Sequence, residues 1–138
     1  MRRLLSALFV LGASLPAMAQ DAPPIGIELN RLEAQGANCR VWMVARNPAA
    51  DAVDPLRLDL ILFGKDGIIV RRLALDIGPL PARKTQARIF DLAGQNCDGL
   101  GSILLNDVLA CGPTAETKAA CLPRLALTSR ADGVSFDQ

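Results

Sequence analysis

Residues 56–77 read LRLDLILFGKDGIIVRRLALDI, and the fold turns on this stretch. Leu56, Leu58, Leu60 and Leu62 alternate with Arg57, Asp59 and Ile61, the period of two expected of a strand with one face in a core. Helical spacing does not fit them. The run stops at Phe63-Gly64-Lys65-Asp66-Gly67, where Asp66-Gly67 supplies the positive backbone torsions of a tight reversal. A second strand then runs from Ile68 to Ile77, so the stretch reads as a β-hairpin.

Working outward, residues 39–46 (CRVWMVAR) form another strand, stopped by Asn47-Pro48 because proline offers no ladder donor. Ile25, Ile27 and Leu29 mark a first strand after the extended Pro23-Pro24. Downstream, Gly78-Pro79-Leu80-Pro81 makes a rigid connection to a strand at 85–92, with further strands at 102–109 and 125–129. The stretch SILLNDVL within 102–109 would equally make two helical turns. About seven short strands with turn signals every ten or so residues, and no long amphipathic helix, predict an all-β fold of the sandwich type. The polar tail, 130–138, is expected to be loose.

The composition agrees with a folded domain: 51% of the 138 residues are apolar and 21% are charged, which excludes a disordered or low-complexity chain. At the N-terminus, Arg2 and Arg3 precede an apolar run from Leu4 to Leu15, then Pro16 and the small-residue triplet Ala17-Met18-Ala19. This is the pattern of a secretory signal peptide cleaved after Ala19, leaving one domain over residues 20–138. The apolar run is too short for a membrane span of about 20 residues, and no later segment reaches that length. Cleavage would remove two arginines, moving the balance of 15 basic and 14 acidic groups from +1 to −1. Neither value supports a nucleic-acid partner.

Cys39, Cys97, Cys111 and Cys121 all lie in the exported part, and an even number in an oxidising compartment implies two disulfides. Zinc favours short paired spacings, whereas these gaps are long, and the chain has no histidine. Of three pairings, Cys39 with Cys97 and Cys111 with Cys121 is favoured, because Gly112-Pro113-Thr114-Ala115 lets the last two double back.

Over residues 40–92 the chain resembles the FxLYD family of small immunoglobulin-like domains of bacterial envelope proteins. Asn47 closes one strand, Leu60-Ile61-Leu62-Phe63-Gly64 stands where that family has its namesake run, the Asp66-Gly67 turn follows, and Leu80 precedes Thr85 and Phe90. Leu60, Phe63 and Gly64 replace the family's phenylalanine, tyrosine and aspartate, and Ala82-Arg83 stands where Pro-Gly is usual. The whole chain is also similar to small exported proteins of Gram-negative bacteria. These resemblances imply an immunoglobulin-like β-sandwich in the periplasm.

Without histidine no Ser-His or Cys-His nucleophile pair and no imidazole metal site can form, so the chain reads as a non-enzyme without a cofactor. Asp51 with Asp54, and Asp98 with Asp107, are carboxylate pairs by number, but each sits where aspartate serves a turn. Lys65, Lys84 and Lys118 fall in apparent turns and read as solvated. No calcium ladder occurs, and Gly99-Leu100-Gly101 is only a fragment of a phosphate loop. Trp42 is expected in the core near a disulfide, with a binding role as the alternative. Arg71, Arg72, Arg83, Lys84 and Arg88 crowd two successive strands, so neighbouring strands would let Arg72 and Arg88 present a small basic face. The expected function is a non-catalytic interaction or accessory module whose strand edges hold another envelope protein. The alternative is a small-molecule domain using the sandwich interior, or Trp42 and Phe63, as its pocket.

Overall fold

In the computed structural model, which describes residues 22–138, β3 (Leu56–Gly64) and β4 (Ile69–Asp76) form the expected antiparallel hairpin. The anticipated signal segment, 1–19, lies outside the described residues. The reversal differs from the expectation in one respect: four residues, Lys65-Asp66-Gly67-Ile68, separate the strands, and only Gly67 takes a positive φ, 78°. Asp66 contributes a side-chain acceptor instead, its carboxylate receiving the Ile68 N–H at 3.0 Å.

The other strands are β1 (Ile25–Gln35), β2 (Asn38–Asn47), β5 (Lys84–Leu92), β6 (Leu100–Cys111), β7 (Leu125–Ser129) and β8 (Ser135–Asp137). They form two four-stranded sheets, ordered β5-β2-β1-β7 (sheet 1) and β4-β3-β6-β8 (sheet 2). The hairpins pair antiparallel, whereas β7 joins β1 and β8 joins β6 in parallel. Between the sheets lies one apolar core in which Cys39, Val41, Met43 and Ala45 of β2 pack with Leu56, Leu58, Leu60 and Leu62 of β3. The fold is a β-sandwich.

Bulges adjust which residues reach this core. At Asn30 an extra residue in β1 resets the alternation, so Leu29 faces inward and Leu32 does too. In β6 three register shifts leave Gly101, Asn106 and Leu109 as extra residues, and the buried set becomes Leu100, Ile103, Leu105, Val108 and Cys111. That 3-2-3-3 spacing is why this strand reads partly as a helix.

The disulfides join Cys39 to Cys97 and Cys111 to Cys121, the favoured pairing. The second carries an element the sequence reading passed over, the helix α1 (Ala115–Cys121). Thr114 caps it, its hydroxyl accepting the Thr117 N–H while the Thr117 hydroxyl accepts the Thr114 N–H. Asn47, fully buried at the end of β2, donates to the carbonyls of Asp51, Leu80 and Pro81 and accepts the Ala49 N–H. It thus does more than stop a strand, because it pins the following loop to the connection before β5.

The tail corrects the expectation of looseness. Val134 and Phe136 are buried, β8 pairs with β6, and the Gln138 amide reaches the Leu125 carbonyl at 3.1 Å. Two apolar side chains at a spacing of two suffice to dock an otherwise polar segment as a short edge strand.

Candidate binding surface

Trp42 is the first site residue to relocate. Its neighbours in sequence, Val41 and Met43, point into the core, so strand alternation turns Trp42 to the outer face of sheet 1, where it is half-buried. It lies between Arg31 of β1 and Ile89 of β5 and donates its indole N–H to Glu33 at 3.1 Å. The expectation of core packing is corrected by this parity. Phe63 lies on the outer face of sheet 2, half-buried and paired in register with Ile69 and Ser102. The two aromatics therefore occupy opposite outer surfaces and cannot line one pocket.

Nor do Arg72 and Arg88 share a face, because β4 and β5 belong to different sheets. Arg72 lies on the outer face of sheet 2 and grips Asp59 through two bonds of 2.8 and 2.9 Å. Arg88 instead spans the gap between the sheets, donating to the carbonyls of Ile77 (2.8 Å) and Pro79 (2.9 Å) and to the Gln86 side chain. Arg71 does the same farther along, reaching the Ala93 carbonyl at 2.6 Å. Of the two arginines foreseen as a basic face, Arg88 joins Arg71 as a staple across one side of the sandwich, while Arg72 stays on the outer face of sheet 2.

Each sheet also carries a buried carboxylate on its outer face that the sequence reading missed. Glu28 on β1 receives Asn30 at 2.8 Å and stands 3.4 Å from both Arg46 and Arg130. The Asn30 hydrogen bond, aided by both arginines, holds its carboxyl below the usual range against the opposing effect of burial. Asp59 on β3 receives Arg72 and, at 2.6 Å, Asn106, and these bonds likewise hold its carboxyl low. Asn106 can do this because it is an extra residue in a β6 bulge. An acidic residue inside an alternating leucine run, as Asp59 is, was the available sequence signal.

The remaining candidates stay apart. Asp51 and Asp54 are exposed in the loop after β2. Asp98 lies in a 3-10 turn before β6 and Asp107 well along that strand, roughly 20 Å away at ordinary strand rise, about twice the separation a hydrolytic carboxylate pair uses. Lys65, Lys84 and Lys118 are exposed. The Cys39–Cys97 bridge borders an open cleft of about 320 Å³ lined by Arg31, Lys65, Asp98, Arg130 and Asp132.

The longest run of exposed large apolar side chains among the described residues lies elsewhere, where the turn enters β4. Ile68 is 64% exposed, Ile69 57% and Val70 46%. β4 pairs only with β3, and its other edge carries no strand among the described residues. No family model matches the chain, and no curated protein or solved structure matches it.

Proposed function

We propose that this chain is a non-catalytic periplasmic interaction or accessory module, an immunoglobulin-like sandwich of the FxLYD kind that holds another envelope protein. The carrying observation is the contrast between a sandwich stapled by two disulfides and the bare, apolar edge at Ile68–Val70. A rigid scaffold with an unprotected apolar edge offers main-chain donors and side-chain contacts to a partner without any chemistry of its own. The small-molecule alternative is disfavoured because core side chains fill the space between the sheets and the aromatics point away from each other.

Chemical crosslinking of the tagged chain in its native envelope, followed by mass spectrometry, tests this reading. A discrete adduct with one envelope polypeptide is expected, together with an intact mass showing cleavage after Ala19 and four oxidised cysteines. Recovery of the chain strictly alone, at crosslinker levels that couple other envelope complexes, would overturn it.

A further inference from the structure

Four strands end the two sheets, and they are not equally available. β7 and β8 have five and three residues and are tied together, with Ser129 Oγ donating to the Val134 carbonyl at 2.5 Å. β5 exposes Ile89, which faces outward beside Trp42. β4 has eight residues, and the two most exposed large apolar side chains of the described chain stand at its entrance, Ile68 in the preceding turn and Ile69 as its first residue. Soluble proteins ordinarily protect such an edge with a charge, a proline or a covering loop. Here the first charge on β4 comes only at Arg71.

The charge around this edge is lopsided. Lys65, Arg71, Arg83, Lys84 and Arg88 lie on β4, β5 and their flanking turns, and none forms an ion pair among the described residues. Most acids on the same side are already engaged, Asp76 with Arg57, Asp91 with Arg40 and Asp59 with Arg72, which leaves Asp66, an acceptor for the Ile68 N–H, against five cations. A second copy is a poor occupant, because two β4 edges related by a two-fold axis would bring these cations together. A strand with carboxylates is the complementary one.

We infer that the free edge of β4, beginning at Ile68 and Ile69, takes up an extended acidic segment of another polypeptide as a fifth strand of sheet 2. This rests on the interaction-module reading and assigns its surface and partner chemistry. Main-chain bonds to β4 supply affinity, apolar side chains of the incoming strand cover Ile69, and its carboxylates meet Arg71 and Lys65.

The test uses the full chain, labelled with nitrogen-15, and two capped synthetic nonapeptides, one alternating valine and glutamate, the other valine and lysine. The glutamate peptide is expected to shift amides of residues 65–76 and give cross-strand contacts to β4, with the lysine peptide at least tenfold weaker. Ile69→Asp should weaken binding at least tenfold while the spectrum stays dispersed. Ile68→Asp, in the turn before β4 with a side chain 64% exposed, should do the same while keeping the main-chain bond from Gly64. Equal binding of both peptides, or binding of neither, would overturn the assignment, as would self-association through β4 or recruitment to phosphatidylglycerol vesicles. If the shifts centre on Trp42 and Ile89, or the envelope adduct survives Ile69→Asp, the β4 assignment falls while the interaction module stands. If the adduct itself is absent, the broader reading falls.

Discussion

Where β7 gives way to β8, residues 130–134 carry the chain from sheet 1 to sheet 2, burying Leu125, Val134 and Phe136 as they cross. At the opposite side, β4 and β5 end the two sheets with Leu73, Leu75 and Phe90 only half-covered, and Arg71 and Arg88 span the gap. The short strands are therefore sealed by apolar burial together with the Ser129 hydroxyl and the Gln138 amide on carbonyl oxygens, and the long strands by guanidinium groups on carbonyl oxygens. A side closed by burial must be torn to accept a strand. A side closed by two staples already has its edge in water.

The largest effects should come from the disulfides, which serve the two sides differently. Cys39–Cys97 spans 58 residues and encloses β3, β4 and β5, so replacing both cysteines by alanine should cost about 4 kcal/mol in urea unfolding. Cys111–Cys121 spans only 10 residues on the way to β7, and its removal should cost about 3 kcal/mol. Equal costs would show that loop length does not govern the contribution. Next, Phe136→Ala on the sealed side should cost about 3 kcal/mol. Ile68→Ala on the bare side should stay within about 0.5 kcal/mol. Similar losses from both would erase the contrast between the sides.

Much of this contrast was not legible in the sequence, for identifiable reasons. The alternation of Leu56 to Leu62 and the Gly67 turn announced the central hairpin, because a period of two over several residues has one structural meaning. Cys111 and Cys121 could be paired because a reversal visibly separates them. β6 was ambiguous because its bulges break the alternation, and a bulge is set by the partner strand rather than by local residues. The tail looked loose because Val134 and Phe136 gain nothing until β6 and β7 are in place, a purely tertiary effect. Arg72 and Arg88 looked like a shared basic face because sequence proximity cannot tell which sheet a strand will join. The run Ile68-Ile69-Val70 was visible, yet its exposure follows only from the position of β4 at an edge.

The two buried carboxylates allow each side to be loosened separately by acid. Glu28 meets Arg130, which follows β7 on the sealed side, and Asp59 meets Arg72 on the β4 strand. Both carboxyls are held below their usual range in the folded chain by hydrogen bonds to Asn30 and Arg72, respectively. Because the unfolded chain binds protons at the ordinary carboxylate values, their contribution is complete above that range and is lost as the pH falls through the lower folded values. Amide exchange, corrected for intrinsic rate, should therefore show β4 and residues 130–134 losing protection between about pH 5 and about pH 3. Asp59→Asn should remove the acid-dependent part for β4 while leaving that at 130–134. Protection that stays flat over this window would mean that neither charge stabilises its side.

The smallest expected effect concerns Arg83, the one residue other than glycine with a positive φ, 55°, among the described residues. Its N–H donates to the Ala49 carbonyl at 3.0 Å, fixing the turn into β5. A side chain in this left-handed region costs roughly 1 kcal/mol, part of which Arg83→Gly would return to the greater freedom of the unfolded chain. The variant should thus gain about 0.5 kcal/mol, read as a higher urea midpoint at unchanged slope. Arg83→Asn, which tolerates the same conformation, should be close to neutral. Both substitutions remove one cation from the open side, so the glutamate peptide should bind up to about twofold less tightly even as the fold becomes no weaker. A loss of stability in both variants would instead give the Arg83 side chain a structural role beyond its charge, and the open side would then hold a third staple.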